Sequence, residues 1–424
     1  MGRVRAETLP ATTRTGTRAR VLGIVFILTG VLIAVVFGLG AHAGADSRLG
    51  LNPARHETFI VLPDLVLPSA DTAYALATVC MFLGGVQLAR GFRKRANLVL
   101  GIVALIFVFA FLVWAARDRS LSLLGMFQST LLRSVPITFG ALAGVLCERV
   151  GVINIAIEGM LLLAAFAAAV SASVVGSLWV GLLVGAVVGG LVAWVLAVLS
   201  IRYRIDQIIG GTVINIFALG MTGYLSIQFL QNNAALNDPG RFQNVAIPGL
   251  SQLPILGPVL FDQNIFVYLL FAIVAVSYIG LFRTRWGLRV RAVGEHPLAA
   301  DTVGIRVLFT RYRNVILGGV VAGIGGAYFT LGAVGRFEPG MTAGRGFIGL
   351  AAMIFGGWNP VGAFGAALVF GFADSLQVKL NILQVGIPQE FLGMAPYLVT
   401  IAIVAGAGRR VRPPAADGKP YIKD

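Results

Sequence analysis

Apolar stretches of about twenty residues recur along this chain, each about long enough to cross the hydrocarbon core of a bilayer. They fall at 21–41, 72–89, 98–116, 122–146, 152–174, 178–199, 207–230, 265–282, 314–332 and 391–407, with polar connections between them. The pattern predicts an all-α fold, a polytopic transmembrane helical bundle of about 10–11 membrane segments. One region departs from it. The stretches 335–341 (GRFEPGM) and 356–360 (GGWNP) both break helices, and the apolar piece between them, 346–355, is too short to span. A re-entrant element over 346–378, returning to the side it left, is expected there. Such backbone is tolerated only where protein or a water-filled cavity satisfies it. In the run at 178–199, Gly181, Gly185 and Gly189 stand four apart on one helix face, a stripe suited to close helix packing.

Charge orients these segments. The connection 283–313 carries seven arginines (283, 285, 289, 291, 306, 311 and 313) against Glu295 and Asp301. A short loop this basic belongs on the cytoplasmic side. Arg90, Arg93, Lys94 and Arg95, then Arg202 and Arg204, then Arg409, Arg410 and Arg412 mark the same side. The basic tail 1–20 joins them, so both termini are expected in the cytoplasm. The connections 42–70 and 231–263, poor in excess basic residues, are expected outside. The run from residue 21 is long for a signal peptide and is read as a retained helix.

Composition narrows the function. Of 424 residues, 57% are hydrophobic and 12% are charged, against about 25% charged in soluble proteins. The net charge of +15 lies mostly at the ends of apolar runs. It fits positive-inside topology and attraction to membrane lipids, and no basic soluble domain exists to bind nucleic acid. Cys80 and Cys147 sit in separate apolar runs, and His42, His56 and His296 are scattered, so no metal or cofactor site is read. G-x-x-x-x-G-K-[ST], G-x-S-x-G and H-E-x-x-H are all absent. The chain is therefore read as a non-enzyme that binds no ATP by a P-loop.

The informative residues are polar ones inside apolar runs. Asn154 and Glu158, four apart, are expected to share a helix face. Asn215 occupies the matching place in a weak internal echo, VINI at 152–155 and again at 213–216, each followed by Gly-Met. An intramembrane carboxylate is costly unless it meets a partner or a cavity. Glu158 therefore either pairs with an arginine such as Arg149 and fixes packing, or lines a hydrophilic path for a polar solute. Phe347, after the break at 344, either stacks on a flat solute ring or packs against helices and lipid. Asp206, Asp374, Gln377 and Lys379 are read as lying near span ends. In the basic loop, GEHPLAA at 294–300 reads as the start of a short helix, with Pro297 in its first turn and Gly304 ending it. Such a helix suits docking of a partner; a solvated loop is the alternative.

Three stretches carry a resemblance: GVLCERVGVINIAIEGM (144–160), TRWGLRVRAVGEHPLAA (284–300) and TAGRGFIGLAAMIFGGWNP (342–360). They resemble permeases of ABC importers for nucleosides and simple sugars, most closely the nucleoside group. The ending GKPYIK (418–423) is also similar, and AIEG at 156–159 departs from the branched-chain amino acid cousins. The resemblance spans about 121–424 and leaves 1–120 as an N-terminal extension of about three spans. It implies a permease core at 121–424, a separate cytoplasmic ABC ATPase, a second permease subunit, and an extracytoplasmic solute-binding lipoprotein. By the same resemblance the loop holds a coupling helix, with Glu295, Ala299, Ala300 and Gly304 at motif positions alongside His296 and Pro297. His296 stands where the family often has asparagine. The path would comprise Asn154, Glu158, Asn215 and Phe347. A simple-sugar permease and an ATP-independent secondary transporter are the alternatives.

Overall fold

A computed structural model describes residues 12–42, 44–53, 59–385, 388, 391, 393–394 and 412–422. The span expected at 391–407 lies outside these but for 391, 393 and 394. Among the described residues, ten helices are long and apolar enough to cross a membrane. The chain is a polytopic helical membrane protein. It divides into two compact units, one of residues 1–124 with 380–386, the other of 125–379 with 387–424.

In the first unit, α1 (Thr12–Leu32), α2 (Ser69–Ala89) and α3 (Ala96–Ala115) pack around Phe26, Ile33, Ala77, Cys80 and Val103. Leu28, Phe82 and Leu105 stay exposed, as on helices apolar all round. The polar connection 42–70, read as a loop, instead forms strands β1 (Asp46–Gly50) and β2 (Leu65–Pro68). β1 pairs antiparallel with β2 and parallel with β3 (Ser120–Ser122). This small sheet departs from the all-α expectation and orders the unit; a second, two-stranded pair joins Val245–Ala246 to Asp262–Gln263 in the other unit. Buried Ser47 fastens the three-stranded sheet: its Oγ donates to Val113 O at 2.5 Å and meets Ser69 Oγ at 2.6 Å.

The second unit contains most of α4 (Leu123–Glu148), then α5 (Ile157–Val175), α6 (Leu178–Ala197), α7 (Gln207–Leu225) and α8 (Ile265–Arg283). There follow α9 (Arg285–Glu295), α10 (Pro297–Thr302), α11 (Val307–Ala327), α12 (Arg345–Phe355) and most of α13 (Pro360–Leu383). α4 is largely buried despite Pro136 in its interior. Proline deprives the carbonyl four residues back of its helical donor. That carbonyl, Leu132 O, accepts the Tyr328 hydroxyl at 2.8 Å, so it is not left bare in an apolar setting.

The glycine stripe does what its spacing predicts, on α5 and α11. A Cβ at Gly189 would strike Gly319 O and Gly323 in the facing helix, so only hydrogen fits. Gly189→Val should prise α11 from α6, and overpacking of this kind costs about 1–3 kcal/mol or more. Gly220→Val on α7, where a Cβ would meet open space, is the control. We expect the first variant to lose its monodisperse peak in size-exclusion chromatography and the second to keep it.

Two boundaries shift. Residues 152–156 are not helical, and α5 starts only at Ile157. The region read as a single re-entrant element is two helices: α12, of 11 residues, and α13, of 24, long enough to cross. Asp374, Gln377 and Lys379 dilute the apolar signal of α13, which is why its length was missed.

Candidate functional site

The turn between α4 and α5 organises the site. Gly151 takes a left-handed backbone (φ +83°), and Gln207 Oε1 accepts the Ile153 N–H at 2.6 Å. From this turn, residues 148–158 reach both ends of α12. Glu158 Oε1 accepts from Gly344 N at 2.8 Å, and Oε2 from Gly346 N at 2.6 Å. Arg149 Nε donates to Trp358 O at 2.8 Å and Nη2 to Gly357 O at 3.2 Å, just past the helix's other end. Trp358 Nε1 in turn donates to Glu148 Oε2 at 2.6 Å. A carboxylate at the N-terminus and a guanidinium at the C-terminus both match the helix dipole and its unpaired backbone groups. Burial, then the nearby Arg291, lowers the Arg149 pKa, and Glu295 opposes the shift.

These contacts correct two expectations. Glu158 does not pair with Arg149; each holds a different end of α12. Asn154 does not share a helix face with Glu158, because it lies in the non-helical turn. Asn154 is fully buried, with Nδ2 on Cys147 Sγ at 3.4 Å and Met160 Sδ at 3.6 Å. Its Oδ1 has no partner among the described residues. Asn215 lies in α7 and ties that helix to the turn, accepting from Gly159 N at 2.8 Å and donating to Ile155 O at 2.9 Å. The two VINI copies thus adopt different local structures, one turn and one helix. Phe347 lies on α12 and is 48% exposed. So Glu158, Asn215 and Phe347 gather around the start of α5 and α12, while Asn154 sits in packing.

A polar cluster missed at the sequence level lies beside α12. Asp374, well inside α13, takes Arg133 of α4 at 2.9 Å and Arg345 of α12 at 3.2 Å on the same Oδ2. A cavity of about 130 Å³ borders it, lined also by Gln377, Ile137 and Phe370. Two guanidiniums on one carboxylate leave a net positive charge in a helical bundle, where such groups mark functional sites. Asp374 is thus not at a span end. The signal was Arg133, a lone charge within the apolar run 122–146.

The basic loop folds as expected of it. Pro297 opens α10, and His296 caps it, its Nδ1 accepting from Ala299 N at 3.2 Å, the service asparagine gives at such a position. Ala300 is buried, and Gly304 ends the turn with φ +84°. The C-terminal segment 412–422 lies against this region. Ala416 N donates to Gly294 O at 2.9 Å, Ala415 N to Glu295 Oε2 at 3.3 Å, and Arg311 Nη1 to Lys419 O at 2.9 Å.

Residues 126–404 match the family model for the permease component of the branched-chain amino acid transport system. The chain belongs to this permease family. It is 38% identical over 305 residues to the guanosine ABC transporter permease protein NupQ of Bacillus subtilis, covering 70% of this chain and 95% of that one. It is 40% identical over 303 residues to the nucleoside ABC transporter permease protein NupC of Lactococcus lactis, covering 69% and 95%. It is 31% identical to the putative glucose ABC transporter permease protein TsgC13 of Haloferax volcanii, covering 67% and 91%. No solved structure matches the chain. Like these relatives, this permease is a multi-pass membrane component of an ABC transport system.

Proposed function

We propose that this permease is the membrane-spanning subunit of an ATP-driven importer of nucleosides. The observation that carries the reading is the 38% and 40% identity to guanosine and nucleoside permeases over 95% of their length. Hydrolysis occurs in a separate cytoplasmic ATPase; an extracytoplasmic binding lipoprotein delivers the solute and a second permease subunit completes the channel. The core runs from 121 to 424, with 1–120 an extension. Residues 283–313 and both termini face the cytoplasm. The ATPase engages α10, reading Glu295, His296, Pro297, Ala299, Ala300 and Gly304; a short capped helix in a basic loop supports this. Among the path residues, Phe347 meets the solute. Glu158 and Asn215 position its wall, as their hydrogen bonds to backbone suggest, and Asn154 packs beneath it.

The 31% identity to a putative glucose permease supports a second reading, a simple-sugar importer of the same mechanism. Vesicles containing the assembled transporter separate the two. We expect ATP-dependent guanosine uptake that glucose and ribose do not compete. Uptake of a sugar in place of guanosine replaces the substrate, and uptake without ATP overturns the importer. Glu295→Ala should lower uptake roughly tenfold while ATP hydrolysis continues; unchanged uptake would remove Glu295 from coupling.

A further inference from the structure

A cavity of about 750 Å³ opens beside α10, in the size range of ligand pockets. Trp286 and Arg289 of α9, Gly304 and Arg306 of the following turn, and Arg313 and Asn314 of α11 line it. Three guanidiniums face the space and no carboxylate is among the lining residues. Like charges gathered round one cavity repel unless an anion enters.

Two buried polar atoms at this cavity lack partners among the described residues, one a donor and one an acceptor. Trp286 Nε1 is a bare N–H. Asn314 is fully buried; its Nδ2 is used on Thr310 O at 2.7 Å, and its Oδ1 is left without a donor. A buried polar atom without a partner is costly and rare. The ligand that satisfies both supplies acceptor oxygens to the arginines and the indole, and a hydroxyl donor to the asparagine.

The position of the cavity narrows the choice. α8 ends at Arg283, shortly before Trp286, and Phe309, Arg313 and Asn314 occupy the first turns of membrane-length α11. That is the height at which headgroups lie and where tryptophan and arginine collect. Apolar side chains stand exposed at the rim: Leu288 at 62%, Val303 at 75% and Phe309 at 54%. They offer a surface to acyl chains.

We propose that this cavity binds the phosphodiester headgroup of an anionic membrane lipid with free hydroxyls, of the phosphatidylglycerol type. The phosphate meets Arg289, Arg306, Arg313 and the indole N–H, and a glycerol hydroxyl donates to Asn314 Oδ1. Basic pockets between membrane helices recognise headgroups in this way. The site is separate from the solute path, and the bound lipid would brace α9 against α11 on either side of α10.

Native mass spectrometry of the delipidated full-length permease, with its co-purified subunits, tests the assignment. Phosphatidylglycerol, phosphatidylcholine and inorganic phosphate are the probes. We expect one phosphatidylglycerol retained, no matching phosphatidylcholine, and no displacement by phosphate. The Arg289→Gln/Arg306→Gln/Arg313→Gln variant should need roughly a hundredfold more phosphatidylglycerol for the same retention. Trp286→Phe keeps a ring and removes the N–H; it should weaken retention less, and it serves if the triple variant does not fold. Equal retention of both lipids, or of phosphatidylglycerol by wild type and both variants, overturns the proposal. Displacement by free phosphate reassigns the cavity to a soluble anion and overturns the lipid. Loss of the lipid whenever the ATPase is bound gives the cavity to that partner, with the same consequence.

Discussion

Replacing Glu158 with alanine should lower solute uptake and thermal stability together. Its two carboxylate oxygens accept the N–H groups of Gly344 and Gly346, which open α12. Removing them strands two donors at a helix start and deletes a negative charge that suits the dipole. The two charge-assisted bonds contribute about 3 kcal/mol or more together. A loss of that size at the mount of α12 should reduce uptake well over tenfold. Glu158→Gln should fall between, since its amide oxygen accepts one N–H and its amide nitrogen accepts none. The measurement is uptake by the reconstituted transporter set beside the Tm of the same preparation. A fall in uptake at unchanged Tm would make Glu158 a solute contact. Wild-type values for both variants would remove it from the site.

The C-terminal segment gives the second large effect. Truncation before Pro413 removes the donors to Gly294 O and Glu295 Oε2 and the carbonyl that Arg311 Nη1 reaches. The end of α9, and α10 behind it, then lose their support. We expect ATP hydrolysis to continue while uptake drops roughly tenfold. Docking of this segment should also depend on pH. Burial pushes the Asp417 carboxyl up to about 6, against the opposing pull of a hydrogen bond with Glu148, the Gly418 N–H and Arg311. The docked segment therefore binds the proton more tightly than the free one. Docking is strongest in acid, weakens as pH climbs from the ordinary carboxylate range to about 6, and stays weakened above that. Hydrogen exchange at the Ala415 and Ala416 amides, corrected for intrinsic rate, should rise across that window. In Asp417→Asn it should be slower at neutral pH and should lose the rise across that window. A wild-type profile already flat would leave Asp417 without this role.

Most of the membrane helices were legible because their signal is length and polarity alone. The runs from 178 and 265 became α6 and α8 within a few residues of the expected bounds. Gly181, Gly185 and Gly189 were legible for a similar reason, since spacing fixes the face and the absent side chain fixes the proximity. What stayed hidden depends on contacts far apart in sequence. Nothing local to Arg149 says that its partners are the carbonyls of Gly357 and Trp358. Nothing local to Asp374 says that Arg133 and Arg345 neutralise it, and unneutralised it resembles a span end. Asn154 was misread because the helical period was begun at residue 152, whereas 152–156 forms a non-helical turn and α5 starts only at Ile157. Pro136 lies inside a run read as one span, and what the sequence does not show is that the hydroxyl of Tyr328, from beyond α11, takes the carbonyl this proline leaves without a donor.

The eleven residues from Glu148 to Glu158 grip α12 at its beginning and just beyond its end. A piece held at two points by one short length of chain cannot tilt relative to that length without breaking a grip. α12 and the α4–α5 corner therefore travel together as a cassette when the transporter changes state. If the proposed solute path runs here, an exchange of this corner between permeases requires two segments, 148–158 and 341–358, moved as a pair. Moved singly, either would arrive without its counterpart.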